Sequence, residues 1–570
     1  MNQPRIDRWK PNPVTSPPHG AVSVMAVGFF IVATVAMFAT QRDYGVVSDV
    51  SNYFFNSVRQ LAWVEDLWQA LLDGQPGAVL NRESVLDHWR VDPARIPHPP
   101  LSREISGLGW LLFRGVFDTV GAYRVGVMLA YAALTAVCAA FTTISAGSIA
   151  AGVGAGLTIL TMPVLFAHGH FAHTDLFLAV FWFSAAACLY RWVEDSRPAM
   201  LFAAGLLLGA ALATKFTGLL LAPVFGLWMV VRRPRDAAWA ILIVAVCAAA
   251  VFYLSNPVMW VDPKLGIADY LGAGLERTEG IGGKIQTEYF GQFYTYRGPW
   301  HYPFVWTAIV IPPTLLLSIV AGLFDRRRGE LIGFCLLNAA VMYAALLVPS
   351  APMHDGVRLF LAVFPFFGVL SGIGVACLAD RLGRLLPSDY RQTTILVTAA
   401  VLLALFLPAA GAVVRTHPYQ LSYFNLLIGG IQGAAEKGLE VTNLKEVLND
   451  EALEDLSALV PDDAILDAGF LFEEICFQQN LDRAPRGWSV EVEWPRTDPV
   501  GSNLNLICAG DPVRAPTAVD RPLPAPDFLL VLNRKATWRP IEWALDGQSS
   551  SPYYQVKLDG VSLLSLYRLQ

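Results

Sequence analysis

Long apolar runs separated by short polar stretches fill the first 414 residues of the chain. A helix needs about 20 mostly apolar residues to cross a membrane. The runs that approach or exceed this length are 21–40, 121–142, 147–166, 174–192, 200–231, 237–255, 302–323, 330–349, 357–379 and 392–414. The first run is longer than the roughly 7–15-residue apolar core of a cleaved signal peptide, so we expect it to remain as an anchor. The pattern predicts an all-α polytopic membrane domain over residues 1–414.

The run 200–231 can be counted in two ways. It is either one long helix or two short helices broken near 214–218, where Lys215 interrupts the apolar pattern. Basic residues concentrate on the cytoplasmic side of membrane proteins, and only the broken version brings every basic cluster to that side. These residues are Arg5, Arg8, Lys10, Arg232, Arg233, Arg235, Arg326, Arg327, Arg328, Arg381, Arg384 and Arg391. The sequence therefore predicts about eleven spans and a tail on the outside.

Three segments are polar and expected outside the membrane: the large first external loop 41–120, the loop 256–301, and the tail 415–570. Binding and catalytic residues are often found in such segments. The tail is rich in Asp, Glu, Pro and Asn. It holds a helix-like stretch at 444–459 and strand-like runs at 464–466, 489–494, 503–508, 528–532 and 554–566. We expect an extracytoplasmic C-terminal α+β domain over 415–570.

The composition excludes an ordinary soluble enzyme. Hydrophobic residues make up 54% of the chain and charged residues only 15%, whereas soluble domains carry about 25% charged residues. The net charge of −6 indicates no basic surface for a nucleic acid. The seven cysteines show no CxxC or Cys/His spacing typical of a zinc site. Only Cys476 and Cys508, both in the tail, are candidates for a disulfide.

Two carboxylates, Asp43 and Asp49, closely follow the first predicted span, and Tyr53 lies one helical turn beyond the second of them. A half-desolvated carboxylate at the membrane surface can act as a general base on a hydroxyl. The alternative is that both are solvated loop acids that help to end the helix.

His98 stands before Pro99 and Pro100, which hold the backbone extended. The stretch 102–117 that follows is typical of an amphipathic helix lying on the membrane face. His98 is therefore either an oriented functional residue or the surface residue of a rigid turn.

The segment 168–175 contains His168, His170, His173 and Asp175. Such a cluster invites a metal site, but its spacing matches no metal-binding motif. We favour the interpretation that Asp175 is a second acidic group on the same side as Asp49.

Two cations at the ends of predicted spans are candidates for binding a phosphate. Lys215 lies at the break in 200–231, and Arg358 follows His354 and Asp355 at the external end of the next-to-last span. Charges at such positions are costly and often functional, and paired cations suit a phosphate group. Arg124, near the external start of the second span, is a weaker candidate. The alternative is that each side chain reaches the interface without binding a ligand.

The chain resembles the lipid-carrier-dependent glycosyltransferases with the membrane-embedded GT-C fold, which include protein O-mannosyltransferases and the aminoarabinose transferases that modify lipid A. A bacterial subgroup of this family reads D-Y-G, a hydrophobic residue, and then D-E in its first loop. Here Asp43-Tyr44-Gly45 and Asp49 fit this pattern, but Val50 stands where the subgroup has Glu. The other similar motifs are His98-Pro99-Pro100-Leu101, Asp175, the break at Lys215, His354-Asp355-Gly356-Val357-Arg358, 417–425 and Gly429-Gly430.

The resemblance implies a multi-pass protein of the bacterial cytoplasmic membrane. It implies an external active site that moves a sugar, with inversion, from a polyprenyl-phosphate carrier to a lipid, glycan or protein acceptor. The general base of the family falls on Asp49, with Asp43 as the fallback and Asp175 as a replacement for the missing second carboxylate. Lys215 and Arg358 would meet the carrier phosphate, and the candidate substrate contacts are His354, Asp355, His98, Arg124 and Tyr53. No cofactor is required, although a divalent cation is left open.

Two other functions remain open from the sequence. Broken spans with a charge inside are also found in transporters, so the chain could be a transporter or flippase for a lipid-linked sugar. The sequence shows no two-fold repeat, and its polar residues cluster on the external side, which disfavours this alternative. The missing Glu at position 50 also keeps open a non-catalytic membrane subunit whose tail binds a partner.

Overall fold

The computed structural model describes residues 17–90, 98–278, 285–349, 351–385, 390–491, 525–547 and 551–569. Most of this part of the chain is helical. The α-helices are α1 His19–Ala39, α2 Val50–Leu72, α3 Arg82–Trp89, α4 Leu101–Phe113, α5 Thr119–Ala146, α6 Ile149–Thr161, α7 Pro163–His168, α8 Thr174–Asp195, α9 Pro198–Leu212, α10 Leu221–Arg232, α11 Ala237–Leu254, α12 Val258–Val261, α13 Pro263–Thr278, α14 Tyr302–Val310, α15 Pro313–Leu323, α16 Gly329–Leu347, α17 Phe364–Gly383, α18 Tyr390–Arg415, α19 Gly430–Glu436, α20 Asp450–Leu459, α21 Phe472–Asn480 and α22 Pro540–Gly547.

Short 3₁₀ segments and two small sheets complete the fold. The 3₁₀ segments are Pro76–Ala78, Phe216–Leu220, Arg326–Arg328, Arg358–Val363, Gln420–Ser422, Gly469–Leu471 and Lys535–Thr537. The strands are β1 Gln286–Tyr289, β2 Gln292–Thr295, β3 Ile465–Asp467, β4 Ser489–Glu491, β5 Phe528–Leu532, β6 Tyr554–Leu558 and β7 Val561–Arg568. The predicted class, a helical multi-pass body with a C-terminal α+β region, is confirmed.

Every apolar run of the sequence forms a helix, but fewer helices than expected are long enough to cross a membrane alone. Within the described ranges, seven helices have the required length and composition, or up to eight if the pair α14 and α15 is one span bent by 114°. Three further apolar helices are shorter: Ile149–Thr161, Pro198–Leu212 and Phe216–Arg232. The count of eleven spans is therefore not confirmed, because it required each of these short helices to cross.

The predicted break near Lys215 is confirmed. Helix α9 ends at Leu212, a 3₁₀ segment runs over Phe216–Leu220, and α10 begins at Leu221. The backbone N–H of Leu101 donates to the carbonyl of Ala213 at 3.2 Å. The His-Pro-Pro-Leu segment therefore satisfies a backbone group that the broken helix leaves without an internal partner.

A second break, between α14 and α15, is filled by one side chain from the segment after α18. The Asn425 amide donates to the carbonyls of Ala308 and Ile311, each at 2.7 Å, and its backbone N–H donates to the carbonyl of Ile309 at 2.8 Å. Carbonyls inside a membrane must find such partners. This explains why the motif 417–425 ends in an asparagine.

Helix α17 lies at the centre of the body, between α6 and α15. A Cβ on Gly374 would lie 1.8 Å from the Ser318 carbonyl oxygen of α15, so only glycine permits this approach. The Ser371 hydroxyl lies 2.6 Å from the Ser318 hydroxyl and accepts from Thr158 of α6 at 2.7 Å. Small residues and shared hydroxyls are a usual way for helices to pack in a membrane.

The segment 41–120 is largely helical where the structure describes it, and its longest helix, α2, was not predicted. Its buried residues include Val50, Phe54, Ser57 and Trp63, which follow the helical period of one face. Charged and amide residues lower the mean hydropathy of this helix, so the sequence does not indicate a membrane span here. The predicted amphipathic helix over 102–117 is confirmed as α4, although it ends earlier, at Phe113.

The tail carries a five-stranded mixed sheet in the order β4-β3-β5-β7-β6. Strand β3 is parallel to β4 and β5, whereas β7 is antiparallel to β5 and β6. The prediction at 528–532 is confirmed, and the run 554–566 forms a hairpin of two strands where one was expected. The predicted strand 503–508 and the end of 489–494 lie outside the described residues.

Two other expectations for the tail concern its first helix and its disulfide. The helix expected over 444–459 begins only at Asp450, because 444–449 folds back onto the segment between α1 and α2. There the Ser48 N–H donates to the Leu444 carbonyl at 3.1 Å. Cys476 is disulfide-bonded, and Cys508 lies outside the described residues.

Candidate functional site

Three carboxylates from distant parts of the chain meet on the guanidinium of Arg358. Its Nη2 lies 2.8 Å from Asp49 Oδ2, its Nε lies 2.8 Å from Asp175 Oδ2, and its Nη1 lies 3.2 Å from Asp355 Oδ2. The planar fork of arginine is suited to such multiple contacts. We call Asp49, Asp175, Lys215, Asp355 and Arg358 the charged cluster.

Lys215 enters the charged cluster through Asp175. Its ammonium pairs with Oδ1 of that carboxylate, while Arg358 pairs with Oδ2. One carboxylate thus holds two cations side by side. The break after α9 is what turns the backbone so that Lys215, which is 4% exposed, reaches Asp175 in the first turn of α8.

His173 connects the charged cluster to the segment between α1 and α2. Its Nδ1 lies 3.4 Å from Asp175 Oδ2, and its Nε2 pairs with the carbonyl of Ser48, next to Asp49. The Tyr53 ring packs edge-on against the His173 ring, with centroids 5.8 Å apart. His173 therefore fixes the position of the backbone that carries Asp49.

The other two histidines of 168–175 lie in different surroundings. His170 bonds Thr40 Oγ1 at 2.8 Å and stacks on Tyr44, away from the charged cluster. His168 is buried at the end of α7 and lines one small cavity together with Asp355 of the charged cluster. In the part of the chain that the structure describes, no group of three His, Cys, Asp or Glu side chains could hold a metal ion.

Asp49 differs from the other two carboxylates on Arg358 in its exposure and its backbone. Its side chain is 43% exposed, whereas that of Asp175 is 1% exposed. Its φ of 68° lies in the left-handed region, which Asp and Asn adopt more readily than most residues. Unusual backbone at such a point is typical of functional sites. Asp49 is the carboxylate of the three that a substrate can reach most easily.

Asp43 lies in the same loop but has a different partner. Its Oδ2 lies 2.8 Å from His417 Nε2, and the neighbouring Tyr44 hydroxyl donates to Gln420 at 2.6 Å. A Cβ on Gly45 would lie 2.5 Å from the Leu448 carbonyl oxygen, so the loop needs glycine there. The Asp-Tyr-Gly motif thus docks onto the segment after α18, and the partner of the Asp43 carboxylate, His417, lies outside the charged cluster.

Two further predicted residues act on backbone groups. Arg124 donates to the carbonyls of Gln41 at 2.6 Å and Gly45 at 2.5 Å, which holds the two ends of the Asp43 turn. The carbonyl of buried His98 accepts from Arg103 at 3.0 Å. A contact of either residue with a donor substrate stays a prediction.

Asp355 joins the charged cluster to the tail. His354 Nδ1 lies 2.9 Å from its Oδ2, and Arg534 Nη2 lies 2.8 Å from its Oδ1. Burial alone would raise the pKa of Asp355, but the neighbouring His354 and Arg534 hold this pKa well below its usual range. Asp355 is therefore an anion that anchors cations from two sides.

The sequence analysis missed Arg534 and Glu440. Arg534 follows strand β5, is 3% exposed, and donates to the Asn443 carbonyl at 2.7 Å, while its Nε lies 3.4 Å from Glu440 Oε1. Burial raises the pKa of Glu440 to about 7, against the opposing effect of Arg534. The only available signal in the sequence was an arginine two residues after a fully apolar run.

One comparison with known protein families agrees with the resemblance seen in the sequence. Residues 97–260 match the family model described as dolichyl-phosphate-mannose-protein mannosyltransferase, which confirms the resemblance over a segment containing Asp175 and Lys215. No curated protein matches the chain.

Two solved structures of ArnT from Cupriavidus metallidurans are similar to the chain. The structure bound to undecaprenyl phosphate has 15% sequence identity and a TM-score of 0.47, and the match covers 95% of this chain and 98% of that chain. The apo structure has 16% identity and a TM-score of 0.45, with 96% and 98% covered.

Proposed function

We propose that the chain is a glycosyltransferase that moves a sugar from a polyprenyl-phosphate carrier to a hydroxyl of an extracytoplasmic lipid, glycan or protein. The observation that carries the proposal is the meeting of Asp49, Asp175 and Asp355 on one guanidinium, beside Lys215. These residues belong to segments that the sequence separates by up to 309 positions, and each is costly to bury unless it has a role. The match to a family named for a lipid-phosphate sugar donor supports the same reaction.

Asp49 is the general base in this proposal. A base must reach the acceptor hydroxyl, and the 43% exposure of Asp49 allows such contact, whereas Asp175 is enclosed by Lys215, Arg358 and His173. Val50, in the place of the family's Glu, is buried in the first turn of α2. Asp175 supplies the second negative charge from another helix, through the shared guanidinium of Arg358.

The proposed transfer is a single displacement. The acceptor oxygen attacks the anomeric carbon, the bond from that carbon to the carrier phosphate oxygen breaks, and the acceptor proton passes to Asp49. The products are an inverted glycoside and the free polyprenyl phosphate, which takes the negative charge of the leaving group. No nucleotide or metal is needed to balance this step, because the lipid phosphate itself leaves.

Lys215 and Arg358 are the proposed partners of the carrier phosphate. Arginine has five N–H donors, and the three ion pairs of Arg358 use one on each nitrogen. Among the described residues, a donor on each terminal nitrogen is thus left for a phosphate oxygen. Asp175 keeps the two cations adjacent, so negative charge developing on the phosphate meets groups that are already oriented.

The location of the tail belongs to the proposal as well. We place residues 415–570 outside the bacterial cytoplasmic membrane, as a domain that follows the transmembrane body 1–414. Arg534 of this domain pairs with Asp355, so an active site on the external face would be completed by the tail.

The test is a donor assay on the purified full-length chain in lipid nanodiscs. A panel of radiolabelled polyprenyl-phosphate sugars is incubated with an extract of membrane lipids, glycans and proteins as acceptors, and the same reactions are run with Asp49→Asn. We expect one donor to be consumed with release of polyprenyl phosphate and formation of a glycoside, only by the unaltered chain. If no donor is consumed, while the protein moves lipid-linked sugar between vesicle leaflets, the transporter alternative replaces this proposal.

Arg534 is expected to act as a positioning residue. Arg534→Gln removes a charged hydrogen bond to Asp355, which is worth about 1.5–3 kcal/mol, so kcat should fall about 10- to 100-fold with a smaller change in KM. The matched control is Arg539→Gln, since Arg539 pairs with Asp467 and Glu542, both within the tail. Steady-state kinetics on both variants provide the measurement. Equal losses in kcat for both would mean that only the stability of the tail matters.

A further inference from the structure

A polar cavity of about 230 Å³ lies between the body and the tail, apart from the charged cluster. The body contributes Glu288 of β1. The tail contributes Glu440, which follows α19, Gln555 of β6, Ser565 of β7 and Trp538, which follows a 3₁₀ segment. None of these residues takes part in the proposed transfer step.

Glu440 contributes a buried carboxyl group to this cavity. Its Oε1 pairs with Arg534 and accepts the Glu288 backbone N–H at 3.2 Å. Its Oε2 has no hydrogen-bond partner among the described residues, although Glu440 is only 2% exposed. An unmade hydrogen bond on a buried carboxyl group costs free energy, so a ligand with hydroxyl donors would be stabilised there.

The opposite wall offers groups that both donate and accept. Gln555 Nε2 donates to Ser565 Oγ at 3.2 Å, and this hydroxyl lies 2.9 Å from that of Ser562. The Trp538 indole N–H donates to the Leu532 carbonyl at 2.7 Å. This bond fixes the ring at the wall, where its apolar surface can contact C–H groups.

We propose that this cavity binds one sugar unit, with hydroxyl groups donating to Glu440 and Glu288 and further hydrogen bonds to Gln555 and Ser565. Carboxylates, an amide, hydroxyls and an aromatic ring around one space match the alternating polar and apolar surface of a pyranose. The volume is below the roughly 300–1,000 Å³ of pockets for drug-sized ligands, so a single ring fits the size and an oligosaccharide does not. This site is independent of the transfer reaction, because it needs no carrier lipid.

The test is direct binding of free sugars to the full-length chain in detergent. Saturation-transfer NMR titrations are run with glucose, mannose, galactose, arabinose, N-acetylglucosamine and glucosamine, without any donor lipid. We expect at least one to bind saturably, with a Kd on the order of 1 mM. No saturable binding of any of the six sugars to the unaltered chain would overturn the proposal.

Two cavity variants and one control locate the binding. Gln555→Ala removes hydrogen bonds, and Ala435→Phe fills the cavity from α19 while deleting none; each should weaken binding at least 10-fold. Gln69→Ala, on the exposed face of α2, is the matched control and should bind as the unaltered chain does. Binding that survives both cavity variants would place the sugar elsewhere and overturn the proposal.

Discussion

Asp49→Asn is expected to lower kcat/KM for sugar transfer by about 10²–10⁴-fold, the usual contribution of a general base. An asparagine keeps the size of the side chain and tolerates the left-handed backbone at φ 68°. It can still accept a hydrogen bond from Arg358, so the loop should keep its shape. The variant therefore loses the proton acceptor while keeping the fold. Initial rates of glycoside formation, together with the thermal unfolding midpoint, provide the measurement.

Asp43→Asn is the matched control for this prediction. Asp43 lies in the same loop, is exposed to a similar degree, and pairs with His417 outside the charged cluster. We expect it to retain most of the activity. If Asp43→Asn abolishes transfer and Asp49→Asn does not, the base is Asp43, and the contact between Asp49 and Arg358 has a purely structural meaning.

The sequence could predict the helices of the body because a membrane demands long apolar segments. The break at Lys215 was also predictable, since a charge and a change in periodicity coincide there. The number of crossings was not predictable. Short helices such as Ile149–Thr161 read as spans by composition, and whether they cross depends on how they pack.

The common location of Asp49, Asp175, Lys215 and Arg358 followed from placing all four on one side of the membrane. The pairing of these four side chains with one another did not follow from the sequence. A sequence shows which charges are at helix ends, but it does not show that one carboxylate will hold two cations. The roles of these residues stay predictions until the variants are measured.

The contribution of the tail was the largest omission. Arg534 is 179 positions from Asp355, and no periodic pattern links a residue after a tail strand to a loop between two membrane helices. Helix α2 escaped prediction for another reason. Its buried face is continuous, but residues such as Arg59 and Glu65 lower its overall apolar character.

Arg358→Lys is the second variant with a large expected effect. A lysine keeps the positive charge but presents one nitrogen, so it cannot hold Asp49, Asp175 and Asp355 through separate donors as the guanidinium does. We expect kcat/KM to fall about 10²-fold or more, as misplacement of a catalytic group does. Arg358→Met should be worse, with about 3–5 kcal/mol lost in stability, because three carboxylates lose their shared cation.

The control is Arg381→Lys, the same substitution at the exposed far end of α17, which should leave transfer unchanged.

A double variant then tests whether Arg358 acts through Asp49. One hypothesis is that Arg358 acts mainly by orienting that carboxylate and the departing phosphate. In that case Arg358→Lys should lower kcat/KM much less in the Asp49→Asn background than in the unaltered chain, since residues that act as a unit are not additive. If the loss of kcat/KM in the double variant equals the product of the two single losses, Arg358 and Asp49 contribute independently. Arg358 would then serve the carrier phosphate alone, and its contact with Asp49 would not be needed for catalysis.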